Sequence, residues 1–290
     1  MNAVQQSLQS FTRVAPFGMG FWDPVSRCLV GDGLEVGLRP QWKGKTPPAW
    51  ANETHYPAES NPKGIYVAHR LPGLAEFARG AGTEEFWKSQ PPRLAFVVTV
   101  QDRANRFQPF RLSLKLPQSG LAVYGCDTPE AALPGSSYVP LFSSPTRNAP
   151  EGMARLRVEL RYGTKERPAA WACVRASHAG KLVASGYADG QGRASLIFPY
   201  PVAPTPAVPL ATLPPLQERA WPLQISVFSN HTLAKLATAP ELCEVFKQPR
   251  ATLSADGTPP ALAAMAASLE YGRDLVLRTS GTSHVLIKPV

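Results

Sequence analysis

The chain has 290 residues and a mass of 31.3 kDa, 44% hydrophobic and 18% charged, which is more than one ordinary domain needs and too apolar for disorder throughout. Its 31 prolines exclude a helical bundle, since each ring removes a backbone donor. The formal charge of +9 is diffuse: residues 1–145 carry 14 Lys+Arg against 11 Asp+Glu and residues 146–290 carry 16 against 10, which argues against nucleic acid as a partner.

In chain order, the first strands are expected over Phe11–Phe21, Leu34–Leu38, Gly64–His69, Leu94–Gln101 and Phe107–Leu116. Leu94-Ala-Phe-Val-Val-Thr-Val100 is nearly continuous apolar chain, the pattern of a strand buried on both faces, whereas Leu112, Leu114 and Leu116 alternate. Gly18-Met-Gly20 reads as a tight bend or bulge. The stretch from Pro40 to Pro62, with Trp42, Trp50 and Tyr56, forms a long proline-rich loop, and Gly73–Ala78 and Thr83–Lys88 offer one helical turn each. The cluster of Pro, Gly and Ser in residues 127–137 closes a first β-sandwich-like module over residues 1–126.

A second module is expected over residues 138–200. Arg155-Leu-Arg-Val-Glu-Leu-Arg161 alternates strictly, placing Leu156, Val158 and Leu160 on a core face and Arg155, Arg157, Glu159 and Arg161 on the other. Strands follow at Ala169–Arg175 and Lys181–Tyr187. The turn signal Asp189-Gly-Gln-Gly192 then points to a hairpin between Lys181–Tyr187 and Ala194–Phe198.

Residues 201–215 hold six prolines and no charge, a stiff extended linker. Beyond it, residues 216–290 read as a separate small α+β piece. It contains a strand through Leu223, Ile225 and Val227, a helix presenting Leu242, Val245 and Phe246 on one face, and a second helix over Pro259–Leu269. A terminal hairpin of Leu275–Arg278 with His284–Lys288 completes it. The fold class is therefore mainly β: two sandwich-like modules followed by an α+β appendage.

Motifs of chemistry are missing. Cys28, Cys126, Cys173 and Cys243 form no metal or redox spacing and default to buried free thiols, and the five histidines are scattered, so no catalytic residue, metal or cofactor is assigned. The candidate interaction residues are Arg155, Arg157 and Arg161 on the strand face, Trp42 and Trp50 in the proline-rich loop, and Leu275, Leu277 and Leu286 in the terminal hairpin. The basic face reads either as solvated or as protein-facing. The tryptophans either grip a sugar or partner surface, with Tyr56, or fold back to plug the ends of the sandwich.

Two resemblances sharpen these readings. Pro168-Ala-Ala-Trp-Ala-Cys-Val-Arg175, Gly180-Lys-Leu-Val-Ala-Ser-Gly-Tyr-Ala-Asp189 and Gly192-Arg-Ala-Ser-Leu-Ile-Phe-Pro199 resemble the transthyretin or carboxypeptidase-regulatory type of β-sandwich. Phe21-Trp-Asp-Pro-Val25, Gly64-Ile-Tyr-Val-Ala-His-Arg-Leu-Pro-Gly-Leu74, Arg106-Phe-Gln-Pro-Phe110, Val139-Pro-Leu-Phe-Ser-Ser-Pro-Thr-Arg147 and Tyr271-Gly-Arg-Asp-Leu-Val-Leu-Arg-Thr279 resemble structural proteins encoded with phage-tail-like contractile injection systems. The second resemblance implies a non-enzymatic structural or adaptor subunit of a contractile particle, near the baseplate or tail end, whose partners are other protein subunits. The alternative is a carbohydrate- or surface-binding β-sandwich. With no basic start followed by an apolar run and no stretch of about 20 apolar residues, the expectation is a cytoplasmic product without a membrane span, assembled into a particle.

Overall fold

The computed structural model describes residues 14–41, 55–74, 77, 84–88, 93–122, 138–163, 167–201, 215, 218–254 and 262–288. The protein is mainly β. The strands of its first half are β1 (Phe17–Asp23), β2 (Cys28–Leu29), β3 (Leu34–Pro40), β4 (Tyr56–Ser60), β5 (Ile65–Ala68), β6 (Leu94–Asp102), β7 (Phe110–Leu116) and β8 (Val139–Pro140). They form one sheet in the order β2-β1-β5-β4-β3-β6-β7, with β8 adding to β1 in parallel. Phe17, Met19 and Phe21 on β1, Val36 and Leu38 on β3, Phe96, Val98 and Val100 on β6, and Phe110, Leu112 and Leu116 on β7 all enter one buried cluster. Gly18 and Gly20 lie inside β1 and do not form a bend. At Gly20 an added Cβ would come within 2.5 Å of the Tyr138 ring, so glycine there makes room for that side chain. A short helix at Glu84–Lys88 brings Trp87 edge-on to Phe77, ring centroids 5.6 Å apart.

The second half contains β9 (Met153–Tyr162), β10 (Arg167–Pro168), β11 (Cys173–His178), β12 (Lys181–Tyr187), β13 (Arg193–Pro199), β14 (Ala220–Phe228), β15 (Thr252–Ser254), β16 (Met265–Glu270), β17 (Leu275–Leu277) and β18 (Val285–Lys288). A four-stranded sheet, β12-β11-β14-β16, faces a six-stranded sheet built around β9. Between them lies a second core of Leu156, Val158 and Leu160 from β9, Leu196 and Phe198 from β13, Val174 from β11, Ile225 and Val227 from β14, and Ile287 from β18.

Strand pairing revises several expectations. The turn Asp189–Gly192 forms as read: Asp189 Oδ1 accepts from the backbone N–H of Gln191 at 2.8 Å and of Arg193 at 2.9 Å. Gly192 has φ of 78°, and a Cβ there would meet the Leu160 carbonyl oxygen at 2.4 Å, so only glycine fits. The turn nevertheless joins two sheets. β12 pairs with β11, and β13 pairs with β9 over seven residues. The two strands pack against each other where Gly186, lacking a side chain, admits Leu196, to which a Cβ would lie at 3.4 Å.

Of the expected helix over Pro259–Leu269, residues 259–261 lie outside the described residues and Met265–Leu269 belongs instead to strand β16, with Met265 and Leu269 buried on its inner face. Met265 and Leu269 satisfy a helical period and a two-residue period alike. The open edge of β14 decides between them by offering backbone partners from Ala220 to Ile225. The terminal hairpin is absent too. β17 and β18 both run parallel to β9, pairing Leu275 with Leu156 and Val285 with Leu160. Thr279 closes the excursion between them, its N–H donating to the His284 carbonyl at 2.8 Å and its hydroxyl accepting from Leu286 N–H at 3.1 Å. Strands β14 to β18 therefore complete the second core and do not build a separate α+β piece. The linker proposed at 201–215 lies almost entirely outside the described residues.

The expected helix at Leu242–Phe246 is present, and its buried Leu242, Val245 and Phe246 enter the first core. Together with Phe142 it joins the first core to β12 of the second half: the Phe142 ring lies 5.1 Å from Phe246 and 5.4 Å from Tyr187. Gln108 Nε2 donates to the Tyr187 carbonyl at 3.3 Å, Tyr187 Oη donates to the Pro109 carbonyl at 3.2 Å, and Arg111 N–H donates to the Pro240 carbonyl at 2.8 Å. β7 consequently begins at Phe110, because residues 107–109 are committed to this joint. Gln248, also buried, donates to the carbonyls of Trp171 and Val245 at 2.8 and 3.0 Å.

A buried ion pair fastens the strap that leads into β9. Arg147 Nη1 and Nη2 reach Asp23 Oδ1 and Oδ2 at 3.0 and 2.6 Å, and the guanidinium lies over the Phe107 ring at 4.8 Å. Burial alone would push the Asp23 carboxyl up. The bonds from Arg147, Ser26 and Val25 N–H and the Arg147 charge outweigh that, holding it below the usual carboxylate range. The lowered value means that this stabilisation is complete above the unfolded carboxylate pKa of about 4 and disappears as pH falls through the folded value. Arg147→Met should lower unfolding free energy in urea at pH 7 by about 3 kcal/mol, leaving a buried charge unpaired, and should flatten the acid-side loss of stability. Deleting residues 272–290 strips β17 and β18 from β9, and the product should be insoluble or lack a cooperative thermal transition. A soluble truncation with near-parental melting would contradict the parallel pairing.

Candidate interaction surface

The outward face of the six-stranded sheet follows directly from alternation on β9. Arg155, Arg157, Glu159 and Arg161 point away from the core, and register places Ser195 on β13 and Val276 on β17 on either side of Arg157. Leu286 on β18 sits beside Arg161. Residues 145–148 pass along this face, leaving a groove of about 560 Å³ lined by Pro145, Thr146, Asn148, Arg157, Arg193 and Val276 among others.

The three arginines differ in what they touch. Arg155 Nε lies 2.9 Å from both carboxylate oxygens of Asp274, and its Nη1 donates to the Arg147 carbonyl at 3.3 Å. Arg161 Nε donates to Glu159 at 2.7 Å. Two of the charges assigned to an outside partner are thus directed at the protein's own acids. Arg157 is exposed, and its guanidinium makes no hydrogen bond or ion pair among the described residues. Arg193, next along the groove, is held by Asp189 at 2.8 Å.

The leucines divide as well. Leu277 is buried in the second core, Leu275 packs against that core half-buried, and Leu286 is half-buried. The residue between the first two, Val276, has 48% of its surface exposed and is one of two large apolar side chains so placed among the described residues, with Leu182 the other. Period-two alternation from Leu275 and Leu277 would have marked Val276 as the outward residue once that stretch was read as a strand with one wet face. Trp42 and Trp50 lie outside the described residues. Tyr56, at the start of β4, is half-buried against the first core, away from the Arg157 face in sequence and in sheet.

Cysteine chemistry departs from expectation at two positions. Cys28 is a free thiol but exposed, Cys173 is buried, and Cys243 is disulfide-bonded. Among the described residues no three His, Cys, Asp or Glu side chains converge closely enough to hold a metal ion, and no helix is long and apolar enough to cross a membrane.

No family model and no curated protein matches the sequence. Solved structures that align with it include the shaft pilin SpaA of Lactobacillus rhamnosus GG, at 7% identity and TM-score 0.26, covering 96% of this chain and 98% of the pilin. A minor pilin of Streptococcus agalactiae aligns at 6% identity and TM-score 0.24, over 94% and 96% of the two chains. A Bacteroides ovatus protein described as an adhesin aligns at 10% identity and TM-score 0.19, over 95% and 99%. At these scores the likeness assigns neither a shared topology nor a role, and the chain is placed in no family.

Proposed function

We propose that the protein is a non-enzymatic structural or adaptor subunit that docks an acidic protein surface on the outward face of its six-stranded sheet. The observation that carries this reading is the pairing of an exposed, uncompensated guanidinium, Arg157, with an exposed Val276 directly beside it, at a groove on a rigid strand. Interfaces combine an apolar contact with arginine in this way, since the guanidinium binds carboxylates bidentately and covers apolar surface with its stem. The finer form of the proposal, a subunit of a contractile phage-tail-like particle, rests on the sequence resemblance above. Arg157→Glu combined with Val276→Asp should reduce co-purification of the tagged protein's partner subunits at least about tenfold, roughly 1.4 kcal/mol, while leaving its unfolding midpoint unchanged. Undiminished co-purification would remove this face from the assembly.

A surface-recognition module is the second reading, and Cys243 favours it. Disulfides persist in oxidising compartments and are rare in the reducing cytosol, which sets this residue against the cytoplasmic expectation. Thiol labelling of protein taken directly from its source, quenched against exchange, distinguishes the two locations. Under native conditions Cys28 should react, denaturation should add Cys173, and Cys243 should label only after reduction. Labelling of Cys243 without reductant would return the protein to a reducing compartment.

A further inference from the structure

A second cavity, separate from the Arg157 groove, lies at the far end of β9. It has a volume of about 550 Å³, in the range of small-molecule sites, and is bounded by the end of β9, by β10, by Gly190, by the helix His231–Ala234 and by β18. Its walls are apolar: Tyr162, Pro168, Ala170, Ala234 and Ile287. The Tyr162 ring is fixed, since its hydroxyl is hydrogen-bonded to Ser229 and the His231 ring lies against it with centroids 4.5 Å apart.

Every charged side chain lining the cavity among the described residues is basic: Arg167, Lys235 and Lys288, joined by His231. All four are exposed, and none makes an ion pair or a side-chain hydrogen bond among the described residues. Elsewhere Arg106, Arg147, Arg155 and Arg193 are matched with local acids, at Asp102, Asp23, Asp274 and Asp189. Three like charges gathered around one concavity repel one another, and an anion placed between them removes that repulsion.

We infer that this cavity is a binding site for a carboxylate carried on a compact apolar body, with Arg167, Lys235 and Lys288 receiving the carboxylate and Tyr162, Pro168 and Ile287 receiving the body. A free organic acid and the C-terminal carboxylate of a peptide present the same chemistry. Arg167 is suited to the anion because its planar fork meets both carboxylate oxygens, and Tyr162 supplies a rigid flat wall.

Isothermal titration of the full chain with N-acetylphenylalanine should show saturable binding. The uncharged N-acetylphenylalaninamide should bind at least about tenfold more weakly, and raising NaCl from 50 to roughly 500 mM should weaken the acid but not the amide. Arg167→Met with Lys288→Met should weaken the acid by about tenfold or more, with the thermal transition and the Arg157-dependent partner binding unchanged. Gly-Ala-Phe with a free carboxylate separates the two sources: tighter binding than N-acetylphenylalanine assigns the site to a peptide end, and equal or weaker binding assigns it to a small acid. Equal binding of acid and amide, no heat of binding in the millimolar range, or a double variant that binds the acid undiminished would overturn the assignment.

Discussion

The second half of the molecule depends on one strand. β9 carries ten residues in strict alternation, and both of its edges are occupied: β13 runs antiparallel along one, while β17 and then β18 run parallel along the other. Its inner side chains, Ala154 to Tyr162, hold the core, so a shift of register by one residue would turn four charged side chains inward. That constraint fixes the neighbours. β17 and β18 find hydrogen-bond partners only if the chain between them loops out, and Thr279 anchors that loop: its backbone N–H donates to the His284 carbonyl, while its hydroxyl accepts from Leu286 N–H on β18 and donates to the Ser254 carbonyl on β15.

The same constraint produces the outward surface. Because Leu156, Val158 and Leu160 must face the core, Arg155, Arg157, Glu159 and Arg161 must face out, and the parallel register of β17 brings Val276 alongside Arg157. Local acids then choose which charges remain available. Asp274, at the entry to β17, meets Arg155, and Glu159 meets Arg161, whereas Arg157 makes no ion pair among the described residues. The proposed docking residue is thus selected by strand order and not by its own sequence context, in which the three arginines look alike.

The two cores are not independent beads. Phe142, Tyr187 and Phe246 form an aromatic contact at their junction, and the polar groups around it, Gln108, Gln248 and the Tyr187 hydroxyl, are hydrogen-bonded to backbone carbonyls. A buried polar joint satisfied in this way holds one geometry, since any sliding leaves amide groups without partners. The Asp23–Arg147 pair ties the strap preceding β9 to the end of β1. The proposed docking face on β9 is therefore set rigidly relative to the first sheet, as the proposed adaptor role would require.

Composition and local pattern determined a good deal unaided. Proline content and period-two alternation specified a mainly β chain, and β3, β6, β9 and β14 were legible because each alternates or runs apolar over enough residues to exclude a helix. The helix Leu242–Phe246 was legible from its apolar face and the preceding Pro240, and the turn Asp189–Gly192 from its glycines and aspartate. Pairing was not. A turn signal states that the chain reverses, not whether it stays in the same sheet, and only the pairing of β12 with β11 and of β13 with β9 shows that here it crosses to the facing one. Met265 to Leu269 fits two periods, and the free edge of β14 chooses the strand. Leu275 to Leu277 and Val285 to Lys288 show that apolar segments need edges, but which edge is a long-range matter, decided by β9 more than a hundred residues earlier. For the same reason alternation on β9 marked Arg157 as outward without naming Val276 as its neighbour, and the gathering of Arg167, Lys235 and Lys288 around Tyr162 was out of reach of sequence reading, because side chains distant in the chain acquire a common chemistry only when backbone hydrogen bonding sets them side by side.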